Sequence, residues 1–211
     1  MSSGNHGMHT EVKIIGLCGS LRENSHTRLA LKAALKGAEQ AGAVTELVDL
    51  REYNLVFCHG GEDYPEDVHK LRKLVMQSHG VILATPEYHG SFSGVLKNAL
   101  DLMSFDEFEG KMMGLIGLSA GALGGNDAIN TLRTVGRSLH AWVVPEQVSI
   151  PFADGVFSKD GNINDESLQS RLSNLGLQVA RFSYLHSSTH AKEFIQAWEA
   201  APSNPGGKIS E

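Results

Sequence analysis

Residues 11–27 read EVKIIGLCGSLRENSHT, and this stretch decides the fold. Glu11 to Leu17 is a short apolar run, which reads as a buried strand. It passes directly into a segment rich in Gly, Ser, Asn and Thr, which reads as a loop. Arg28 to Ala41 (RLALKAALKGAEQA) then places Leu29, Ala33, Ala34 and Ala38 at helical spacing, with Gly42 as a fitting stop. A strand that enters a helix through a polar loop opens a βαβ unit, and such units build parallel sheets.

The same unit recurs along the chain. Val44 to Leu50 alternates apolar and polar residues, a second strand, and Arg51 to Tyr64 is a long loop without period. Pro65 opens a helix that runs to about Ser78, because a missing N–H costs little in the first turn. Val81 to Ala84 is a third strand, Thr85 to Gly94 a loop, and Val95 to Met103 a helix. Lys111 to Leu118 is a fourth strand, Ser119 to Gly125 a Gly-rich loop, and Asn126 to Leu139 its helix. Ala141 to Val144 is a fifth strand, Ser149 to Ser158 is irregular, and Asp165 caps a last helix from Glu166 to about His186. Five strand–helix units predict an α/β fold, a parallel sheet with helices on both faces. The pattern gives a single domain over residues 11–190, with 1–10 and 202–211 as flexible tails.

Composition narrows the function. The chain has 211 residues, 41% hydrophobic, enough for a real core. Its net charge of −6 argues against nucleic acid as a partner. No apolar run approaches the ~20 residues of a membrane helix, so no membrane partner is expected. The two cysteines, Cys18 and Cys58, make no disulfide framework, which points to a reducing, cytoplasmic setting.

In open parallel sheets the ligand lies beyond the carboxyl ends of the strands. That rule selects three loops. In the first, Ser20, Ser25 and Thr27 offer hydroxyls and Arg22 a charged fork at a helix N-terminus, a setting that suits a phosphate. A plain cap at Ser25 or Asn24 would explain one polar residue but not the group. In the second, Tyr88 can pack on a flat ring and Gly90 admits close approach, although an ordinary turn explains this loop as well. The third, Ser119 to Gly125, has three glycines that would expose backbone N–H groups to a ligand. It has a competitor: Gly117 to Gly121 is a literal G-x-S-x-G, the pattern of a hydrolase nucleophile elbow, with His59-Gly60-Gly61 upstream and Asp154 and His186 downstream. Against a serine hydrolase, His186 falls inside a helix and the other two loops stay unexplained. His186 and His190 are four apart but have no carboxylate cluster for a metal, so no metal site is expected. Trp142 and Trp198 read as packing residues, and Cys58 lies in an open loop.

Residues 19–30, GSLRENSHTRLA, resemble the phosphate loop of the NADPH-dependent FMN reductase family, GSLRxxSxNxxLA. Residues 86–101, PEYHGSFSGVLKNALD, are similar to its PEYNxSxPGxLKNAxD. The resemblance covers roughly residues 12–151. It implies a flavodoxin-like three-layer fold with strand order 2-1-3-4-5, bound FMN, and NAD(P)H as co-substrate. The acceptor would be a flavin, quinone, azo dye or metal oxyanion, and the enzyme a homodimer or homotetramer. By position, Ser20, Arg22, Ser25 and Thr27 would hold the FMN phosphate. Pro86, Glu87, Tyr88, His89 and Gly90 would line the ring, with Ser119, Gly121 and Gly124 on its other edge. The flavin carries the chemistry, so no catalytic side chain is expected. Three departures stand out: Thr27 and His89 replace Asn, and Ser93 replaces Pro. A non-catalytic electron carrier is the remaining alternative; such carriers expose aromatics around the ring, and here Tyr88 alone is expected to.

Overall fold

The computed structural model describes residues 11–200, apart from positions 62 and 159. The expected tails at 1–10 and 202–211, and the side chains of His190 and Trp198, lie outside the described residues.

The first strand, β1, spans Lys13–Cys18 and is followed by helix α1, His26–Gln40. Ser25 caps α1 through its hydroxyl, which accepts from the Arg28 N–H. Next come β2 (Val44–Asp49), a 3-10 turn at Leu50–Glu52, α2 (Glu66–Met76) and β3 (Gly80–Tyr88). Pro65 stands one residue ahead of the first turn expected of it, at the N-cap position of α2, and makes no side-chain cap bond. Then follow β4 (Ser91–Phe92), α3 (Gly94–Asp101), the short α4 (Phe105–Phe108), β5 (Met112–Leu118) and α5 (Asn126–Ser138). The chain closes with β6 (Trp142–Ile150), α6 (Ala153–Val156), α7 (Glu166–Ser187) and α8 (Thr189–Glu199). Asp165 caps α7, as its sequence predicts.

The five long strands are parallel, in the order β2-β1-β3-β5-β6. This is the expected order, renumbered by the short β4. Successive residues of a strand feed opposite faces. Ile14 packs with Leu31 and Leu175 against α1 and α7, while Ile15 packs with Leu71, Leu96 and Leu132 against α2, α3 and α5. Every residue of β5 is buried, as a strand covered on both faces requires.

Three boundaries differ from the sequence reading. β3 does not stop at Ala84; it continues to Tyr88 and turns back as the antiparallel β4. The two residues between them, His89 and Gly90, have φ of 54° and 74°. Two positive φ values in a two-residue connection make the tight hairpin turn whose twist matches its strands. β6 does not stop at Val144; it resumes beyond Pro145 through a register shift opposite Gly114. Proline is tolerated at a bulge on an edge strand. Arg133 supports the bulge by donating to the carbonyls of Val144 and Pro145 and to Gln147 Oε1. The stretch 149–158 is ordered by the end of β6, by α6 and by a bridge between Phe157 and Ile163, and α8 is a further helix packed on α7.

Candidate functional site

The three loops converge at the carboxyl edge of the sheet on a cavity of about 300 Å³, within the range of small-molecule sites. Ser20, Arg22, Ser25 and Thr27 line it from the first loop, Pro86, Glu87 and Tyr88 from the end of β3, and Ser119 from the third loop. His89 and Gly90 form the hairpin tip beyond Tyr88, and Gly121 and Gly124 sit behind Ser119; these four do not line it. His26 and Ala153, which the motifs did not single out, do line it, as do Asn24, weighed above only as a cap, and Asp154, weighed above only as a hydrolase acid.

The first loop offers its polar groups to the cavity. Ser20, Ser25 and Thr27 are each only 4% exposed, yet the Thr27 hydroxyl has no partner among the described residues. The Leu21, Glu23, Asn24 and Ser25 amides also meet no acceptor among those residues. The loop is held from behind by Arg28, whose guanidinium donates to the carbonyls of Glu23 (2.9 Å) and Arg22 (3.2 Å). Its Nε lies 2.9 Å from Asp49 Oδ2, close enough for an ion pair but not aligned as a hydrogen bond. Asp49 also takes a two-pronged bond from Arg51, and this bond above all holds its carboxyl below the usual range, with Arg28 adding to it. Nothing acidic stands in the first turn of α1, and the Ser25 cap takes only the Arg28 amide, so the amides before it are left for an external anion.

The N-terminus of α5 is different. Gly125 caps it without a side chain, and the Glu87 carboxylate reaches over from β3 to accept from the Asp127 and Ala128 amides, both at 3.1 Å. Glu87 thus lines the cavity while its charge is committed to a helix. Tyr88 stands at the rim, 45% exposed, and Phe152 is exposed next to the lining residue Ala153. Phe152 has φ 48°, an uncommon conformation for an aromatic residue, held by its N–H bond to the Gly121 carbonyl. Aromatic exposure near the cavity is therefore not confined to Tyr88.

The third loop is folded on itself. The Ser119 hydroxyl donates to the Gly121 carbonyl (3.0 Å) and accepts from the Gly124 N–H (3.1 Å). Among the described residues no imidazole hydrogen-bonds to it, so it lacks the base a nucleophilic serine needs. His186 lies in α7 beside the Trp142 ring, His59 packs with its ring tilted against Tyr64, and Asp154 approaches His26 instead. Gly117 of the G-x-S-x-G pattern is a packing residue: a Cβ there would meet the Gly125 carbonyl at 2.5 Å. The serine-hydrolase alternative is not supported by this geometry.

Other candidates also resolve. Cys18 is buried, and burial pushes its thiol up, away from reactivity. Cys58 is exposed and accepts from the Tyr64 hydroxyl. Trp142 is mostly exposed rather than packed in the core. Among the described residues no group of His, Cys, Asp and Glu could hold a metal ion, and no helix is long and apolar enough to cross a membrane.

The residues of the cavity fit a flavin mononucleotide: buried hydroxyls and open amides for a phosphate dianion, and an exposed aromatic for a planar ring. Comparison with known proteins agrees. The chain is 34% identical over 158 residues to an NADPH azoreductase of Bacillus sp. (strain OY1-2), spanning 74% of this chain and 84% of that one. It is 33% identical over 163 residues to the FMN-dependent NADPH-azoreductase of Staphylococcus aureus (strain USA300), spanning 74% and 86%. The solved structure of FerB, a flavoenzyme NAD(P)H:(acceptor) oxidoreductase from Paracoccus denitrificans, superposes with a TM-score of 0.71 at 24% identity, over 83% of this chain and 98% of that one, a likeness of fold. Residues 12–155 match the model of the NADPH-dependent FMN reductases, and the chain belongs to that family.

Proposed function

We propose that this NAD(P)H-dependent FMN oxidoreductase delivers its reducing equivalents to flat organic acceptors, azo compounds first and quinones second. The azoreductase relatives support the acceptor class, and the observation that carries it is the exposed Tyr88 on the cavity lining, with Phe152 exposed one residue before the lining Ala153. FMN, when bound, supplies the hydride chemistry. The chain supplies position and charge. Ser20, Ser25, Thr27 and Arg22 would hold the phosphate, with Arg28 fixing the loop beneath them. Pro86 and Tyr88 would border the ring. Ser119, fixed by its own loop through the Gly121 carbonyl, would present the neighbouring Ala120 amide, which meets no acceptor among the described residues, to the ring edge where negative charge accumulates. His89 and Gly90 would shape the opening from the hairpin tip, and Gly124 would keep the third loop compact. On the same reading the enzyme works in the cytoplasm as a homodimer or homotetramer.

The test is anaerobic bleaching of an azo dye by the FMN-loaded protein. Bleaching that requires both FMN and NADPH is expected. NADPH oxidation driven by chromate with no bleaching would overturn the acceptor assignment.

A further inference from the structure

A second space adjoins the cavity. It measures about 620 Å³ and lies between the start of α1 and the turn that follows α6. Asn24, Ser25, His26 and Asp154 line both spaces, so the two are neighbours across these side chains. The outer wall is a small hairpin. Phe157 bridges Ile163, the Ser158 N–H donates to the Asn162 carbonyl at 2.8 Å, and the Gly161 N–H donates to the Ser158 carbonyl at 2.9 Å. The Phe157 ring stacks on His26 with centroids 5.0 Å apart. The flavin reading makes no use of Lys32, Phe157 or Asp160, which line this space alone.

We propose that this space is the subsite for the adenosine half of the nicotinamide dinucleotide. The need for one is spatial. The cavity at the three loops is about 300 Å³, at the small end of single-ligand sites. The nicotinamide must meet the flavin there, and the rest of the dinucleotide must lie against protein nearby. The second space shares lining with that cavity. A larger one of about 720 Å³ does not: it sits at the amino ends of the strands, beside Val12 and Gly42. The chemistry of the lining also fits. Arg28 is spent on Asp49 and on two loop carbonyls, and Asp154 faces His26 at 3.5 Å. Lys32 of α1 has no ion-pair partner among the described residues. It offers a charge to a phosphate, while Glu23 and Asp160 offer acceptors to ribose hydroxyls. A nucleoside phosphate presents an anion and hydroxyl donors together, so each of these groups finds its complement. The proposal rests on FMN in the smaller cavity and on NAD(P)H as its reductant.

The test uses FMN-loaded protein, so that the phosphate loop is already occupied. ADP, the adenosine half on its own, is titrated by calorimetry into the parent and into two variants, after a thermal melt confirms folding. Lys32→Glu reverses the charge at an exposed position, and Leu29→Trp adds bulk at a half-buried position of the lining. Steady-state rates then compare NADPH with reduced nicotinamide mononucleotide, which has the reacting ring but no adenosine. The parent is expected to bind ADP and to use NADPH more efficiently than the mononucleotide. Lys32→Glu is expected to weaken ADP about tenfold and to shrink the ratio of the two kcat/KM values by a similar factor, chiefly through the KM for NADPH. Leu29→Trp is expected to act in the same direction on both readouts. Unchanged ADP affinity in Lys32→Glu, or equal efficiency of the two donors with the parent, would overturn the proposal. If Leu29→Trp does not fold, Lys32→Glu decides by the same criteria. A parent protein that takes up no FMN would instead overturn the cofactor reading beneath it.

Discussion

The first and third crossover loops are alike in composition and opposite in use. Both follow a buried strand, both carry Gly and Ser, both contribute lining residues to the cavity, and both lead into a helix. In the third, the serine hydroxyl is bonded within its own loop and the helix N-terminus is taken by Glu87. In the first, the Thr27 hydroxyl and several amides have no partner among the described residues, and no carboxylate bonds to the helix amides there: Asp154 approaches the His26 ring instead. The difference teaches that a Gly–Ser loop becomes an anion site only where its polar groups are left unspent. Residue types do not reveal this; the hydrogen-bond account does.

The largest expected effect breaks the closed loop. A Cβ on Gly125 would meet the Gly117 carbonyl carbon at 2.5 Å, and Gly125 has φ 89°. Gly125→Ala should cost about 4 kcal/mol of stability by urea unfolding, through overlap and backbone strain together. Full stability in that variant would mean the third loop is not closed.

Next comes the support of the open loop. Arg28→Ala frees two loop carbonyls and leaves Asp49 to Arg51 alone. The expected loss is about 3 kcal/mol at neutral pH. Asp49 is held below its ordinary range in the folded state, so its contribution is complete above about pH 4. It disappears as pH falls through the lower folded value. The penalty should therefore shrink in acid by the part due to Asp49, while the part due to the two carbonyl bonds remains. A penalty that is constant with pH would show that Arg28 acts through the carbonyls and packing alone.

Arg22→Ala removes an exposed side chain at the open wall. FMN binding should weaken by about 2 kcal/mol, the scale of a charge-assisted bond, with apo-protein stability unchanged. Equal losses for FMN and riboflavin would make Arg22 a structural residue.

The smallest effect belongs to Glu87→Gln, which weakens the bonds at the N-terminus of α5. About 1 kcal/mol of stability should be lost, with FMN affinity within about threefold. A large loss of FMN affinity with unchanged melting would instead assign the carboxylate to the ligand.

Much of this was legible in the sequence, for identifiable reasons. The inner strands are short apolar runs such as VILA, β2 alternates apolar and polar residues, and the polar loops and helix caps are local signals. The hydroxyls of the first loop could be chosen because position and residue type coincide at a helix start. Pro145 hid the second half of β6, since a bulge on an edge strand depends on a neighbour far away in sequence. His89-Gly90 hid the hairpin, because histidine is an unusual residue at a positive φ. The loop-holding role of Arg28 and the capping role of Glu87 were illegible for one shared reason. Each acts on a backbone group of another segment, and the identity of the target leaves no trace in the motif.

The central claim is that the first loop is built for the phosphate of the cofactor. It is tested most directly by titrating the apo-protein with FMN and with riboflavin under the same conditions, followed by flavin fluorescence. The open hydroxyls, amides and Arg22 predict that FMN binds at least about tenfold more tightly, the factor that corresponds to ~1.4 kcal/mol. Equal affinities for the two flavins would contradict the account.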